Sequence, residues 1–186
     1  MFKTALKEFI TCLERAKIDY MVMGGLAVAY YGEVRLTQDI DVTVNLMPNE
    51  VEKLLLAVKE KFFPLVEDVN SFVKETGVLP LRHKFVEVRV DVVFAGTFLE
   101  KKAILEARLV DFGEIRIKFI PVEYLIIQKI LAGRPRDLED VKGILKHQRD
   151  LNCQKITEIL DKISQELGET KWLKLWNSLK ELTDYA

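Results

Sequence analysis

Apolar residues Phe2, Leu6, Phe9, Ile10, Leu13 and Ala16 fall three or four positions apart, a spacing that predicts an amphipathic helix at the start of the chain. The apolar run 20–23 predicts a short strand, and 26–31 a short helix after a Gly24-Gly25 turn. From Asp39 the period changes to two. Ile40 and Val42 alternate with Asp39 and Asp41, which predicts a second strand through 46. Pro48 suits the first turn of a helix that Val51, Leu54, Leu55 and Val58 carry to about 62. The stretch 63–80 is weaker and accommodates a short strand and a short helix. Val86, Val88, Val90 and Val92 alternate with Glu87, Arg89 and Asp91, so 85–95 reads as a third strong strand. Thr97 with Glu100 three residues on matches a capping box for a helix to about 107. Residues 108–112 and 115–120, separated by Gly113-Glu114, read as a strand pair. From Pro121 onward the pattern is helical, with breaks at Gly133-Arg134-Pro135, near Leu151-Asn152 and at Gly168. The order of elements predicts an α/β (α+β) fold, a small mixed sheet with helices on one face over 1–120. A helical region over 121–186 is expected to close a cleft above the open face of the sheet.

Composition narrows the class. A chain of 186 residues can hold one good core with a helical appendage, and a hydrophobic content of 49% excludes disorder. The net charge of −1 announces no global field for nucleic acid. No apolar run approaches the length of a membrane span, so no membrane partner is expected. The opening helix carries acids and bases at helical spacing, unlike a signal peptide. Cys12 and Cys153 sit far apart inside helical patterns and read as buried thiols of a cytoplasmic protein. Two Cys and two His at these spacings make no zinc ligand set. His83 and His147 are isolated and read as solvated or helix-end residues. Trp172 and Trp176, four apart beside Leu175 and Leu179, read as core or as an oligomer seam. Nothing supports a Ser or Cys nucleophile.

The chemistry concentrates between Gly24 and Val42. In a strand, Asp39 and Asp41 point to the same face, and two carboxylates that close repel unless a cation lies between them. Oxygen ligands on a rigid strand are what Mg²⁺ chemistry on phosphates needs. A strand that turns through Gly-Gly into a helix presents backbone N–H groups at a helix N-terminus, a phosphate cradle. Taken singly, Asp-x-Asp also marks a solvated strand edge and Gly-Gly an ordinary tight turn. The ordered set of strand, Gly-Gly, short helix, Arg35-x-Thr37 and Asp39-Ile40-Asp41 points to the site.

Gly24-Gly25 followed by Asp39-x-Asp41 resembles the signature of the polymerase-β-type nucleotidyltransferase superfamily. The fuller stretch, with Tyr31-Gly32, Arg35 and Thr37, is similar to its small bacterial and archaeal branch, which includes minimal nucleotidyltransferases and AbiEii-type toxins. The resemblance implies a third carboxylate on a neighbouring strand. Asp91 is its best match, with Glu87 as fallback on the same face and an ion pair with Arg89 as the plain alternative for Asp91. Further on, Lys129 followed by Arg134, Arg136, Asp137 and Asp140 resembles the C-terminal motif of AbiEii-type proteins. Read without it, Asp137 caps the helix that begins near Pro135 and Arg136 is solvated. With it, Lys129 meets triphosphate oxygens, and Arg136 or Asp137 sits at the nucleotide or supports the site. Arg35 and Thr37 join that set, Arg35 as a bidentate phosphate donor.

The resemblance therefore implies a nucleotidyltransferase that moves a nucleoside monophosphate from an NTP to an acceptor hydroxyl or phosphate and releases pyrophosphate. Asp39, Asp41 and Asp91 would hold two Mg²⁺ ions, for which Mn²⁺ can substitute, and Gly24 and Gly25 would hold the triphosphate. The acceptor is RNA, a protein or a small molecule. An alternative of another class is a catalytically reduced binding or regulatory member of a toxin–antitoxin pair with the same fold, with an antitoxin partner. An oligomer is compatible with either.

Overall fold

The computed structural model describes residues 1–33, 37–113 and 115–182. In chain order the elements are α1 (Phe2–Arg15), β1 (Tyr20–Val22), α2 (Gly24–Tyr31), β2 (Asp39–Val44), a 3₁₀ turn (Pro48–Glu50), α3 (Val51–Val58), β3 (Phe62–Pro64), α4 (Val69–Thr76), β4 (Val78–His83), β5 (Arg89–Phe94), α5 (Phe98–Leu105), β6 (Arg108–Phe112), β7 (Ile115–Phe119), α6 (Val122–Ala132), α7 (Pro135–His147), α8 (Cys153–Leu167) and α9 (Lys171–Leu182). They form two compact units: Met1–Leu26 with Leu36–Ile120, and Ala27–Arg35 with Pro121–Ala186.

The first unit is built on a mixed sheet of order β3-β4-β5-β2-β1-β7-β6 among the described residues. Its centre follows from period-two alternation. β2 and β5 run parallel in register, pairing Ile40 with Val90, Val42 with Val92 and Val44 with Phe94, all six buried. The antiparallel neighbours add Tyr20 and Val22 of β1 and Leu79 and Leu81 of β4 to the same face. Burial of each such side chain contributes roughly 1.5–3 kcal/mol. A slip of β2 by one residue would carry Asp39 and Asp41 into that core, so the register is strongly specified. α1 covers part of this face, where Phe9 meets Phe62 of β3 edge-on with ring centroids 5.1 Å apart.

The sheet departs from the expected elements in one region. The third strand begins at Arg89 rather than at 85, and residues 84–87 form a bend. A further strand, β4, occupies 78–83, beyond the one short strand and one short helix expected for 63–80. Pro80 is the register partner of Asp91 and gives its carbonyl to the Leu65 N–H at 2.9 Å. His83 ends β4 on the core side. Its Nε2 lies 2.6 Å from Glu8 of α1, and its Nδ1 accepts the N–H groups of Phe85 and Val86. His83 is thus buried and bonded on both ring nitrogens, a correction to its reading as a solvated residue. The capping box of Thr97 and Glu100 and the β6–β7 pair form as expected.

The second unit is helical. Gly133 and Gly168, both with left-handed backbones (φ +63° and +67°), close α6 and α8 at the expected breaks. Trp176 is fully buried and donates its ring N–H to Thr157 of α8 at 3.0 Å, so the α9 tryptophan serves the core. Gly32 packs against the α7 backbone, where a Cβ would lie 2.9 Å from the Ile144 nitrogen. Gln148 closes the same contact by donating to the Tyr31 carbonyl at 2.7 Å. No described helix is long and apolar enough to cross a membrane.

Candidate active site

β2 and β5 place Asp41 and Asp91 as direct register partners, with Asp39 two residues earlier on the same face of β2. Neighbouring strands lie about 4.8 Å apart, so three carboxylates share one patch of the sheet. The valines on the other face are fully buried, whereas Asp39 is exposed and Asp41 and Asp91 are partly exposed. This polar face closes off only beyond Asp41, at buried Thr43, whose hydroxyl donates to the Met23 sulfur.

The Gly24-Gly25 turn leads from β1 to this patch. Gly24 has a left-handed backbone (φ +61°), and a Cβ on it would sit 1.9 Å from Asp41 Oδ2. Only glycine leaves room for the carboxylate there. The Gly25 N–H, in the first turn of α2, points at Asp41 Oδ2 at 3.4 Å, and the Met23 N–H donates to the Asp41 carbonyl at 2.9 Å. The positive end of the helix thus faces a carboxylate that the turn holds in place. Thr37 donates its hydroxyl to the Asp39 carbonyl at 3.1 Å, tying down the entry to β2. Arg35, proposed above for phosphate, lies outside the described residues.

A residue the sequence offered only as the plain alternative takes a central part. Arg89 Nε donates to Asp91 Oδ1 at 2.8 Å. Arg89 is also the register partner of Asp39. The bond to Asp91 lifts the guanidinium pKa above its usual range; burial opposes this, and the charges of Asp91, Asp39 and Asp41 add to the rise. Glu87 is no substitute for Asp91. It lies in the bend before β5, strongly exposed, and pairs with Arg82 at 3.3 Å.

The carboxylate donor set suits a hard cation such as Mg²⁺. The register brings the three residues side by side, but Asp91 is engaged with Arg89. Among the described residues, no three His, Cys, Asp or Glu side chains already stand together as a metal cage.

The remaining sequence candidates lie in the second unit. Lys129 of α6 donates to Asp137 at 2.7 Å and to Asp140 at 2.8 Å, both on α7. Arg134 Nε bonds the other oxygen of Asp137 at 2.5 Å. The Lys129, Asp137 and Asp140 side chains are at most 11% exposed, so one cation and two carboxylates form a buried network, which the exposed Arg134 joins from the surface. Burial alone would raise the Asp137 pKa, but the bonds from Arg134 and Lys129 outweigh it and hold the carboxyl below its ordinary value. Asp137 does not cap α7. The cap position is Arg134, with no side-chain cap bond, and Asp137 points instead to the two cations. Arg136 is exposed in the first turn of α7.

Comparison with known proteins agrees with this geometry. Residues 3–181 match the family described as a nucleotidyltransferase of unknown function (DUF6036). Among solved structures, the chain is similar to an antigenic nucleotidyltransferase-like protein from Paracoccidioides brasiliensis, at 16% identity and a TM-score of 0.56, with 92% of each chain covered. It is also similar to the antibiotic-resistance factor ANT(2'')-Ia, at 12% identity and a TM-score of 0.56, covering 89% of this chain and 92% of that one. The same factor in complex with adenylyl-2''-tobramycin gives 15% identity and a TM-score of 0.50 over 98% of each chain. At these identities the structures establish the fold. No curated protein matches the sequence. With a mixed open sheet, the Gly-Gly turn against Asp41 and a family match over nearly its whole length, the chain belongs to the DUF6036 nucleotidyltransferases.

Proposed function

We propose that this chain transfers a nucleoside monophosphate from an NTP to an acceptor hydroxyl and releases pyrophosphate, with Mg²⁺ as its cofactor. The observation that carries the reading is the pairing of Asp41 with Asp91, with Asp39 beside them, on a sheet face that reaches solvent next to the Gly24-Gly25 turn. Asp39, Asp41 and Asp91 would hold the metal, which when bound supplies Lewis-acid neutralisation of the phosphates. The protein's own part is positioning. Asp91, across from Asp41, accepts the proton of the acceptor hydroxyl as it attacks the α-phosphate in line. The first N–H groups of α2, at Gly24 and Gly25, receive phosphate oxygens.

Lys129 and Asp137 serve first as framework, because each is bonded to the other. The Lys129 ammonium carries three donors and gives two to Asp137 and Asp140; the third is what it brings to a triphosphate oxygen. Arg136, exposed, and Arg35 and Thr37 complete the proposed nucleotide contacts. The complex of ANT(2'')-Ia with adenylyl-2''-tobramycin favours a small polyhydroxylated acceptor over RNA or protein. The test is incubation with Mg²⁺, each α-labelled NTP and acceptors of the three classes, following label transfer and pyrophosphate. Transfer abolished by Asp41→Asn supports the reading. No pyrophosphate with any NTP and acceptor overturns it in favour of a regulatory member of a toxin–antitoxin pair.

A further inference from the structure

The strand that carries Asp91 has a register that its own side chains leave open. Val88, Val90 and Val92 are buried at every second position. Burial of that row forbids a slip of β5 by one residue, which would turn Asp91 into the core. A slip by two keeps valines inside. It would bring Arg89 or Val93 to the place opposite Asp41 that Asp91 now holds. In a hairpin the turn settles such a choice. The turn between β4 and β5 is built around one side chain. The His83 N–H donates to the Val88 carbonyl at 3.0 Å and closes the loop, and the Val88 N–H donates to the Val86 carbonyl at 2.8 Å. Inside the loop, His83 Nδ1 accepts the N–H groups of Phe85 and Val86 at 3.1 and 3.2 Å. The His83 side chain is 2% exposed and lies edge-on to Phe62, with ring centroids 4.9 Å apart. Its Nε2 lies 2.6 Å from Glu8, which also accepts Lys61 at 2.8 Å, and the Lys61 carbonyl accepts the Lys84 N–H at 2.8 Å.

We propose that His83 is a positioning residue for the transfer reaction: with its ring proton on Nε2, it fixes the β4–β5 turn and so the register that sets Asp91 opposite Asp41. The inference rests on the role given to Asp91 above. A ring nitrogen that accepts two N–H groups carries no proton, so the proton of the ring lies on Nε2 and is donated to Glu8. Glu8 on α1, itself held by Lys61, thereby selects the tautomer that the turn needs. Histidine meets both demands at once, an acceptor toward the loop and a donor toward α1, on a flat ring that packs against Phe62. Asparagine reaches only as far as Nδ1 and glutamine only as far as Nε2, so substitution can separate the two.

The experiment is nuclear magnetic resonance on the isotope-labelled full chain, with pyrophosphate release from Mg²⁺ and NTP, for the wild type, His83→Asn and His83→Gln. The wild-type ring should show a bare Nδ1 and a protonated Nε2. His83→Asn keeps an acceptor for the turn. It should retain slow exchange of the Phe85 and Val86 amides, the cross-strand contact of Leu81 with Val90, and a kcat close to wild type. His83→Gln loses that acceptor. Its two amides should exchange about fivefold faster, as loss of one hydrogen bond requires. Its kcat should fall about 100-fold with KM for NTP little changed, the effect of a misplaced catalytic group. A histidine that only filled the core would make the two variants alike. A proton on Nδ1 in the wild type, or equal behaviour of the two variants in folding and turnover, overturns the inference. Absence of pyrophosphate from the wild type overturns the reading of Asp91 instead. The ring proton, the amide exchange and the Leu81–Val90 contact then still decide whether His83 sets the register.

Discussion

The Oδ2 of Asp41 occupies the space that a side chain on Gly24 would fill, 1.9 Å from where its Cβ would be. The glycine is needed twice, for a left-handed backbone and for the close approach of the carboxylate. Gly24→Ala is therefore expected to cost roughly 1–2 kcal/mol of stability from the backbone alone. It should also push Asp41 out of line with Asp91. Pyrophosphate release should fall by more than about 100-fold, beyond the 10–100-fold typical of groups that only support a metal ligand. Thermal unfolding and turnover measured on the same preparation check this. A variant with lowered stability and full activity would show that the close approach is dispensable.

Asp39 is the complementary case, since it is exposed at the start of β2 and bonded through its backbone carbonyl to Thr37. Asp39→Asn removes one of three neighbouring negative charges, so the metal-free fold should be unchanged or slightly more stable. Activity should fall by more than about 100-fold, as the proposed role of Asp39 in holding the metal requires. Circular dichroism with a steady-state assay over a range of Mg²⁺ concentrations separates the two effects. Wild-type turnover in this variant would remove Asp39 from the site.

The carboxylate face is largely legible from the sequence because it depends on local rules. Period-two alternation sends Asp39 and Asp41 to one face and Ile40 and Val42 to the other without knowledge of the fold. Asp91 follows the same rule on its own strand, but its pairing with Asp41 is a matter of strand order, which alternation does not set. The strand β4 is hard to see because its residues, 78–83, straddle the end of a weakly patterned stretch and contain a proline, and β5 begins only at Arg89, after the bend at 84–87. Contacts across long separations are the least legible. The partner of His83, Glu8, lies 75 residues away and belongs to a helix whose charged positions look merely solvated. Lys129 and Asp137 meet only because the Gly133 turn brings α7 back on α6. The individual charges give no sign that they will be buried.

That buried pair carries its own prediction. With Lys129 removed, Asp137 and Asp140 would stand next to each other in a nearly closed site that has lost the ammonium shared between them. Breaking a buried ion pair by deleting one partner costs about 3–5 kcal/mol. Lys129→Met should therefore unfold at markedly lower urea concentration, and Lys129→Arg should recover part of the loss. Equilibrium unfolding decides this. Nucleotide affinity measured where Lys129→Met is still folded should show a further, salt-sensitive weakening if the third donor meets a phosphate. Unchanged affinity there would confine Lys129 to the framework.

The last prediction concerns acid. Glu8 of α1 accepts Lys61 at 2.8 Å and His83 Nε2 at 2.6 Å, and the bonds from Lys61 and then His83 hold its pKa below the ordinary glutamate value of 4.5, against an opposing effect of burial. A carboxyl whose pKa is depressed on folding binds fewer protons in the native state than in the unfolded one. Its stabilisation is present above the unfolded value and is lost as pH falls through the folded value. The Glu8 contribution should therefore be complete at pH 7 and begin to decline below pH 4.5. Glu8→Gln, which keeps the shape but not the charge, should be about 1–2 kcal/mol less stable than the wild type at pH 7. Because the variant has no carboxyl to protonate, the difference should shrink as pH falls from 5 to 3. Urea midpoints of the two proteins at a series of pH values test this. A gap that stays constant across that range would mean that Glu8 acts through packing of α1 on Phe62 and His83 rather than through its charge.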